Sequence, residues 1–153
     1  MYRPAISRPR VLLVVSHPSV GAGIETILRL ERRYDVRRAA KLADAVALAR
    51  SWPADLALVD ALVLRRDGRA ELGVSSLILA GGAAEAAAAE RSVDRPQGWV
   101  AKDAPSDDLV NAVERLLTGH VQAEAGSLAL VGIAVLLLVL AGLLLYLIWT
   151  AVV

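Results

Sequence analysis

Short runs of consecutive apolar residues alternate along this chain with longer stretches in which apolar residues recur every three or four positions. Val11-Leu-Leu-Val-Val15 is apolar throughout, the pattern of a strand buried on both faces of a parallel sheet. From Ser19 to Arg33, Val20, Ile24, Ile27, Leu28 and Glu31 fall at helical spacing, with Ser19 the expected N-cap. Tyr34 to Ala39 reads as a second strand. Leu42, Ala45, Val46, Ala49 and Trp52 form the stripe of a second helix, which Pro53 ends. Asp55-Leu-Ala-Leu-Val-Asp60 and Ser76-Leu-Ile-Leu-Ala80 read as strands three and four. Gly81-Gly82 and an alanine-rich helix from about Ala83 to Arg91 follow. Gly98 to Ala101 is a short fifth strand. Pro105 to Thr118 is the next helix, with Leu109, Val110, Val113, Leu116 and Leu117 inward and Gly119 as its stop. Between strands three and four, Arg65-Arg66-Asp67-Gly68-Arg69 reads as a turn, and any third helix in 61–75 must be short. Five alternations of strand and helix predict an α/β fold, a parallel sheet with helices on both faces.

The tail follows a different pattern. From Ala125 to Val153 there is no Asp, Glu, Lys, Arg or His, and within Leu128 to Ile148 the only polar side chain is Tyr146. A helix over such a stretch rises ~1.5 Å per residue, about 30 Å in all, the thickness of a bilayer's hydrocarbon core. Leu128, Leu136 and Leu143 would face lipid, and Tyr146 and Trp149 would lie at the far membrane–water boundary, where amphipathic rings settle. A buried core helix is the rival reading, but a small domain rarely hides a helix that is apolar all round. The expected organisation is a tail over 1–9, one domain over 10–119, a linker over 120–126, a transmembrane helix over 127–150 and an end over 151–153.

Composition narrows the chemistry. The 153 residues carry a formal net charge of +1, which hides an asymmetry: residues 1–38 hold eight arginines against three acids. That basic third suits nucleic acid or anionic headgroups, although solvated or locally paired arginines explain it as well. There is no cysteine, so disulfides, thiolate nucleophiles and zinc–sulfur sites are excluded. His17 and His120 are far apart and lack ligand spacing, and no metal site is expected from them. The apolar run after the basic N-terminus is too short for a leader. The domain is therefore expected on the cytoplasmic side of the cell membrane, in a single-pass arrangement. Gly21-Ala-Gly23 falls inside a predicted helix and reads as a packing site, not a phosphate loop.

In a doubly wound sheet, ligands bind beyond the carboxyl ends of the strands. Val15 and Ser16 follow strand one, Asp60 ends strand three, Ala80 ends strand four and Lys102 follows strand five. An acid and an amine on separate strands are thus expected at one end of the sheet.

On these residues a family resemblance rests. Arg10-Val-Leu-Leu-Val-Val-Ser-His-Pro18, Pro53 to Asp60, Asp67-Gly68, Gly98-Trp-Val-Ala-Lys-Asp-Ala-Pro105 and Leu109 to Val113 resemble, in order, the motifs of a response-regulator receiver domain. The likeness is greatest to the NarL-like subgroup that usually precedes a helix-turn-helix. The resemblance implies a flavodoxin-like sheet of order 2-1-3-4-5, with Asp60 at the phosphoacceptor position and Lys102 at that of the family's lysine. It also exposes departures. Val15 and Ser16 stand where the family has two acids that hold magnesium, and Ala80 stands where it has a Ser or Thr that contacts the phosphoryl group. Phosphoryl transfer to a carboxylate gathers negative charge that a divalent cation must offset. Mg²⁺ wants near-octahedral oxygen coordination, and one carboxylate beside a valine is a poor offer.

Asp60 is therefore expected to be inactive as an acceptor and to pair with Lys102. The function expected is that of a membrane-tethered, degenerate receiver, not an enzyme and without cofactor. It would signal by protein–protein contact, through self-association or with another protein, most plausibly across the helix-four, strand-five, helix-five face. The alternative is an active receiver that takes phosphate on Asp60 from a histidine kinase, with Mg²⁺. A nucleic-acid partner is not expected, because apolar helix takes the place of a helix-turn-helix.

Overall fold

The computed structural model describes residues 8–30 and 33–119. Five parallel strands, β1 (Arg10–Val14), β2 (Asp35–Ala39), β3 (Leu56–Asp60), β4 (Ser76–Ala80) and β5 (Pro96–Ala101), lie in the order β2-β1-β3-β4-β5. The helices between them are α1 (Pro18–Leu30), α2 (Leu42–Ser51), α3 (Ala61–Asp67) and α4 (Ala83–Glu90), and α5 covers 106–119. This is the doubly wound sheet that the alternation predicts, in the order that the resemblance implies. The expected transmembrane helix over 127–150, with Leu128, Leu136, Leu143, Tyr146 and Trp149, lies outside the described residues. Among the described residues no helix is long and apolar enough to cross a membrane.

Period-two alternation divides the strands between two cores. Leu12, Val14, Ala57, Val59, Ile78 and Ala80 face α2, α3 and α4, where Leu42, Ala45, Val63, Leu64, Ala86 and Ala89 cover them. Val11, Leu13, Leu56, Leu58, Leu77, Leu79 and Val100 face the other way, onto Ile24 and Leu28 of α1 and Leu109, Ala112 and Val113 of α5. Both faces are buried, which is why β1, β3 and β4 read as unbroken apolar runs. Trp52 closes the first core near the amino end of β1. It is 6% exposed, and the guanidinium carbons of Arg37 and Arg10 stand 5.0 and 5.8 Å from its ring centre.

Several local expectations need correction. Ser19 is not the N-cap of α1: the helix starts at Pro18, whose fixed φ suits a first helical position, and the Ser19 hydroxyl bonds His17 Nδ1 at 2.8 Å. Arg65 to Arg69 is not all turn. Arg65, Arg66 and Asp67 complete α3, and the chain leaves the helix at Gly68, at φ 92°, where a side chain would be strained. Gly119, the expected stop of α5, is helical and is the last of the described residues, so the end of that helix lies outside them. Inward on α5, Ala112 takes the place expected for Val110, which is only half-buried. Gly21 does serve packing: a Cβ there would stand 2.9 Å from Cδ of Arg38, which reaches over α1 to donate to the Pro18 carbonyl at 3.2 Å. Gly23 has open space around it.

Candidate functional site

The carboxyl ends of β1, β3 and β4 and the residue after β5 bring the candidate residues to one rim of the sheet. The register pairs Val14 with Val59, Asp60 with Leu79 and Leu79 with Val100. One step beyond Val14, Val15 continues the ladder through its N–H to the Ala39 carbonyl (3.1 Å), and its side chain, 2% exposed, joins the core beneath α1 and α5. Asp60 therefore has an apolar residue as its expected neighbour on the adjoining strand. Ser16 is half-buried in the loop that follows. Ala80 is fully buried and faces the other core.

Asp60 itself is 3% exposed, a buried carboxyl at the junction of β3 and α3. It is the N-cap of α3, and Leu62 N–H donates to its Oδ1 at 2.9 Å. Lys102 Nζ stands 2.7 Å from the same oxygen. The lysine reaches this point because its own N–H donates to the Ala80 carbonyl at 3.0 Å, extending the β4–β5 ladder one residue past Ala101. A buried carboxylate needs both compensations, since without donors or a counter-charge its desolvation is costly.

A third charged group joins them that sequence reasoning missed. Glu85, in the first turn of α4, turns back so that Gly81 N–H donates to its Oε2 at 2.6 Å, while Oε1 stands 4.0 Å from Lys102 Nζ. Its place as third residue of the helix signals a fold-back on the N-terminal amides, which is common for an acid there, but nothing in that spacing signals Lys102. Asp67, at the family's Asp-Gly turn, lies elsewhere. It holds α3 to α2 by accepting from Leu42 N–H at 3.0 Å and from Arg66 Nε at 2.6 Å, which lowers its pKa to about 2. The hydrogen bond from Arg66 is the larger cause, and that from Leu42 follows. Among the described residues, no group of three or more His, Asp or Glu is placed to hold a metal ion.

No family model matches the chain, and no curated protein matches it by sequence. Solved structures do match by fold. A protein described as a response regulator from Chloroflexus aurantiacus is similar over 73% of this chain and 99% of its own, at TM-score 0.63 and 23% identity. The signal receiver domain of a protein described as the response regulator NarL from Mycobacterium tuberculosis is similar over 74% and 98%, at TM-score 0.60 and 24% identity. A two-component response regulator of the LuxR family from Aurantimonas is similar over 74% and 87%, at TM-score 0.58 and 26% identity. The described domain thus has the fold of response-regulator receiver domains.

Proposed function

We propose that this chain is a receiver-fold signalling module that works by protein contact, with its acceptor aspartate held permanently in an ion pair. The observation that carries the reading is the buried Asp60 carboxylate, bonded at 2.7 Å to Lys102 and capped by Leu62 N–H, beside an apolar Val15. Mg²⁺ is poorly served by this donor set: the Val15 side chain offers no oxygen, and Oδ1 of the one buried carboxylate already accepts from an ammonium and an amide. Nor would a phosphoryl group at Asp60 find a hydroxyl at Ala80. The chain is then not an enzyme, and needs no cofactor.

Output by contact is supported at β5 and α5. Trp99 is 40% exposed and borders a cavity of about 450 Å³, lined further by Ala104, Asp108, Asn111 and Arg115. An exposed tryptophan beside an arginine is the composition of an interface anchor. The partner is a second copy or another signalling protein, not nucleic acid. The uncharged stretch over 127–150 tethers the module to the cell membrane, with the receiver-fold domain on the cytoplasmic side.

A phosphodonor assay tests the central claim. Full-length chain is incubated with acetyl phosphate and Mg²⁺ and examined by intact-mass spectrometry, with Asp60→Asn as control. No 80-dalton adduct is expected. An adduct present in the wild type and lost in Asp60→Asn would overturn the reading in favour of the alternative, a receiver that accepts phosphate on Asp60.

A further inference from the structure

Lys102 and Gly81 bring two donors to the rim beside Asp60. One is the ammonium, 2.7 Å from Asp60 Oδ1; the other is the amide at the start of the β4–α4 loop. An oxyanion arriving at the carboxyl end of the sheet beside Asp60 would draw on these donors, since Val15 and Ala80 are buried and apolar and Ser16 offers a single neutral hydroxyl. Both donors already face one carboxylate. Glu85 accepts from Gly81 N–H through Oε2 and turns Oε1 toward Lys102 at 4.0 Å.

We propose that Glu85 is an autoinhibitory anion supplied by the chain itself: its carboxylate takes up the Gly81 N–H and faces Lys102, the two donors beside Asp60 that an external oxyanion would use. This deepens the reading of an inert receiver and rests on it, adding a physical obstruction to the missing acids. A helix cap alone would need only the Gly81 bond. The second oxygen stands 4.0 Å from Lys102, which follows β5, so an ionic attraction also reaches from the β4–α4 side to the end of that strand. The attraction to Lys102 is also directional in its consequence. An incoming phosphate would have to displace a tethered carboxylate whose effective concentration is far above that of a free ion. Gly81 and Gly82 make the fold-back feasible, since the loop carries no side chain between the carboxylate and the amide it accepts from; a Cβ at Gly81 would stand 3.3 Å from Oε2.

The test uses full-length chain labelled with ¹⁵N-glycine, followed by NMR at the Gly81 amide during titration with sodium phosphate against sodium chloride of equal ionic strength. No divalent cation or phosphodonor is present, so the outcome is independent of whether Asp60 can be phosphorylated. In the wild type the Gly81 resonance lies downfield and does not respond to phosphate. In Glu85→Ala it moves upfield and returns saturably at millimolar phosphate, and Glu85→Ala/Lys102→Ala loses that response. Glu85→Gln, the near-isosteric variant, guards against a folding defect: its amide oxygen can still accept from Gly81 but no longer attracts Lys102, so its Gly81 amide responds to phosphate, more weakly than in Glu85→Ala. A wild type that responds as the variants do overturns the proposal, as does a Gly81 amide that stays silent in both Glu85 variants, which would leave Glu85 a helix cap and nothing more.

Discussion

Removing either member of the Asp60–Lys102 pair should have unequal effects on stability, and the inequality measures what the pair is for. In Lys102→Met the aliphatic stem is retained and the Asp60 carboxylate keeps only Leu62 N–H, at a site 3% exposed. Stranding a buried charge in this way costs about 3–5 kcal/mol. Lys102 is itself 24% exposed, so water softens the loss and about 2–3 kcal/mol is the expected figure. In Asp60→Asn the side-chain oxygen still caps Leu62, and the released ammonium has water and Glu85 to turn to. The expected cost is below about 1 kcal/mol. The double variant should cost little more than Asp60→Asn alone, leaving a coupling of about 2 kcal/mol between the two sites. Urea unfolding of the full-length chain in mild detergent, followed by circular dichroism, reads all three. With a slope of about 2 kcal/mol per molar urea, Lys102→Met lowers the midpoint by about 1–1.5 M and Asp60→Asn by about 0.5 M or less. Equal costs for the two single variants would refute the reasoning, and so would a double variant that sums them.

Two further outcomes follow from other parts of the molecule. The Asp67 carboxyl, lowered from 3.8 to about 2 by Arg66 and Leu42, contributes stability that is fully present above the unfolded value and is lost as pH falls through about 2. Asp67→Asn should therefore unfold at lower urea than the wild type near pH 6, the two midpoints converging as pH approaches 2; a gap that stays constant over that range contradicts the linkage. Trp99→Glu should change the unfolding free energy by no more than about 0.5 kcal/mol, since the ring is 40% exposed, and should abolish the self-association proposed for the β5–α5 face, read by sedimentation equilibrium. Undiminished dimerisation in that variant would remove the β5–α5 face from consideration.

Much of the fold was legible because burial leaves a periodic trace. Leu12 and Leu13 point to opposite faces, both covered, and so β1 reads as an apolar run, not as an alternation. Boundaries were less legible where local and tertiary preferences compete. Asp67 looked like a turn residue beside Gly68, yet its carboxylate bonds Leu42 on another helix, and that contact holds the last turn of α3 in place. The site divides in the same way. Asp60 and Lys102 could be named because topology places strand ends together. Glu85 could not, because an acid in an alanine-rich helix start looks like any residue that complements a helix dipole. Its second partner, Lys102, is seventeen positions away along the chain and meets it only through the sheet.

Val15 ties the site's chemistry to the domain's stability. Val15 extends the β1 ladder, and it packs with Val11 and Leu13 into the core shared by α1 and α5. Burying a valine there contributes about 1.5–3 kcal/mol. An acid in that position, next in register to Asp60, would add a second negative charge that only a bound cation could relieve. The valine adds core and no charge, and the buried carboxylate of Asp60 has Lys102 against it at 2.7 Å. With its charge already matched by the ammonium, that carboxylate gains less from a further cation than an unpaired one would.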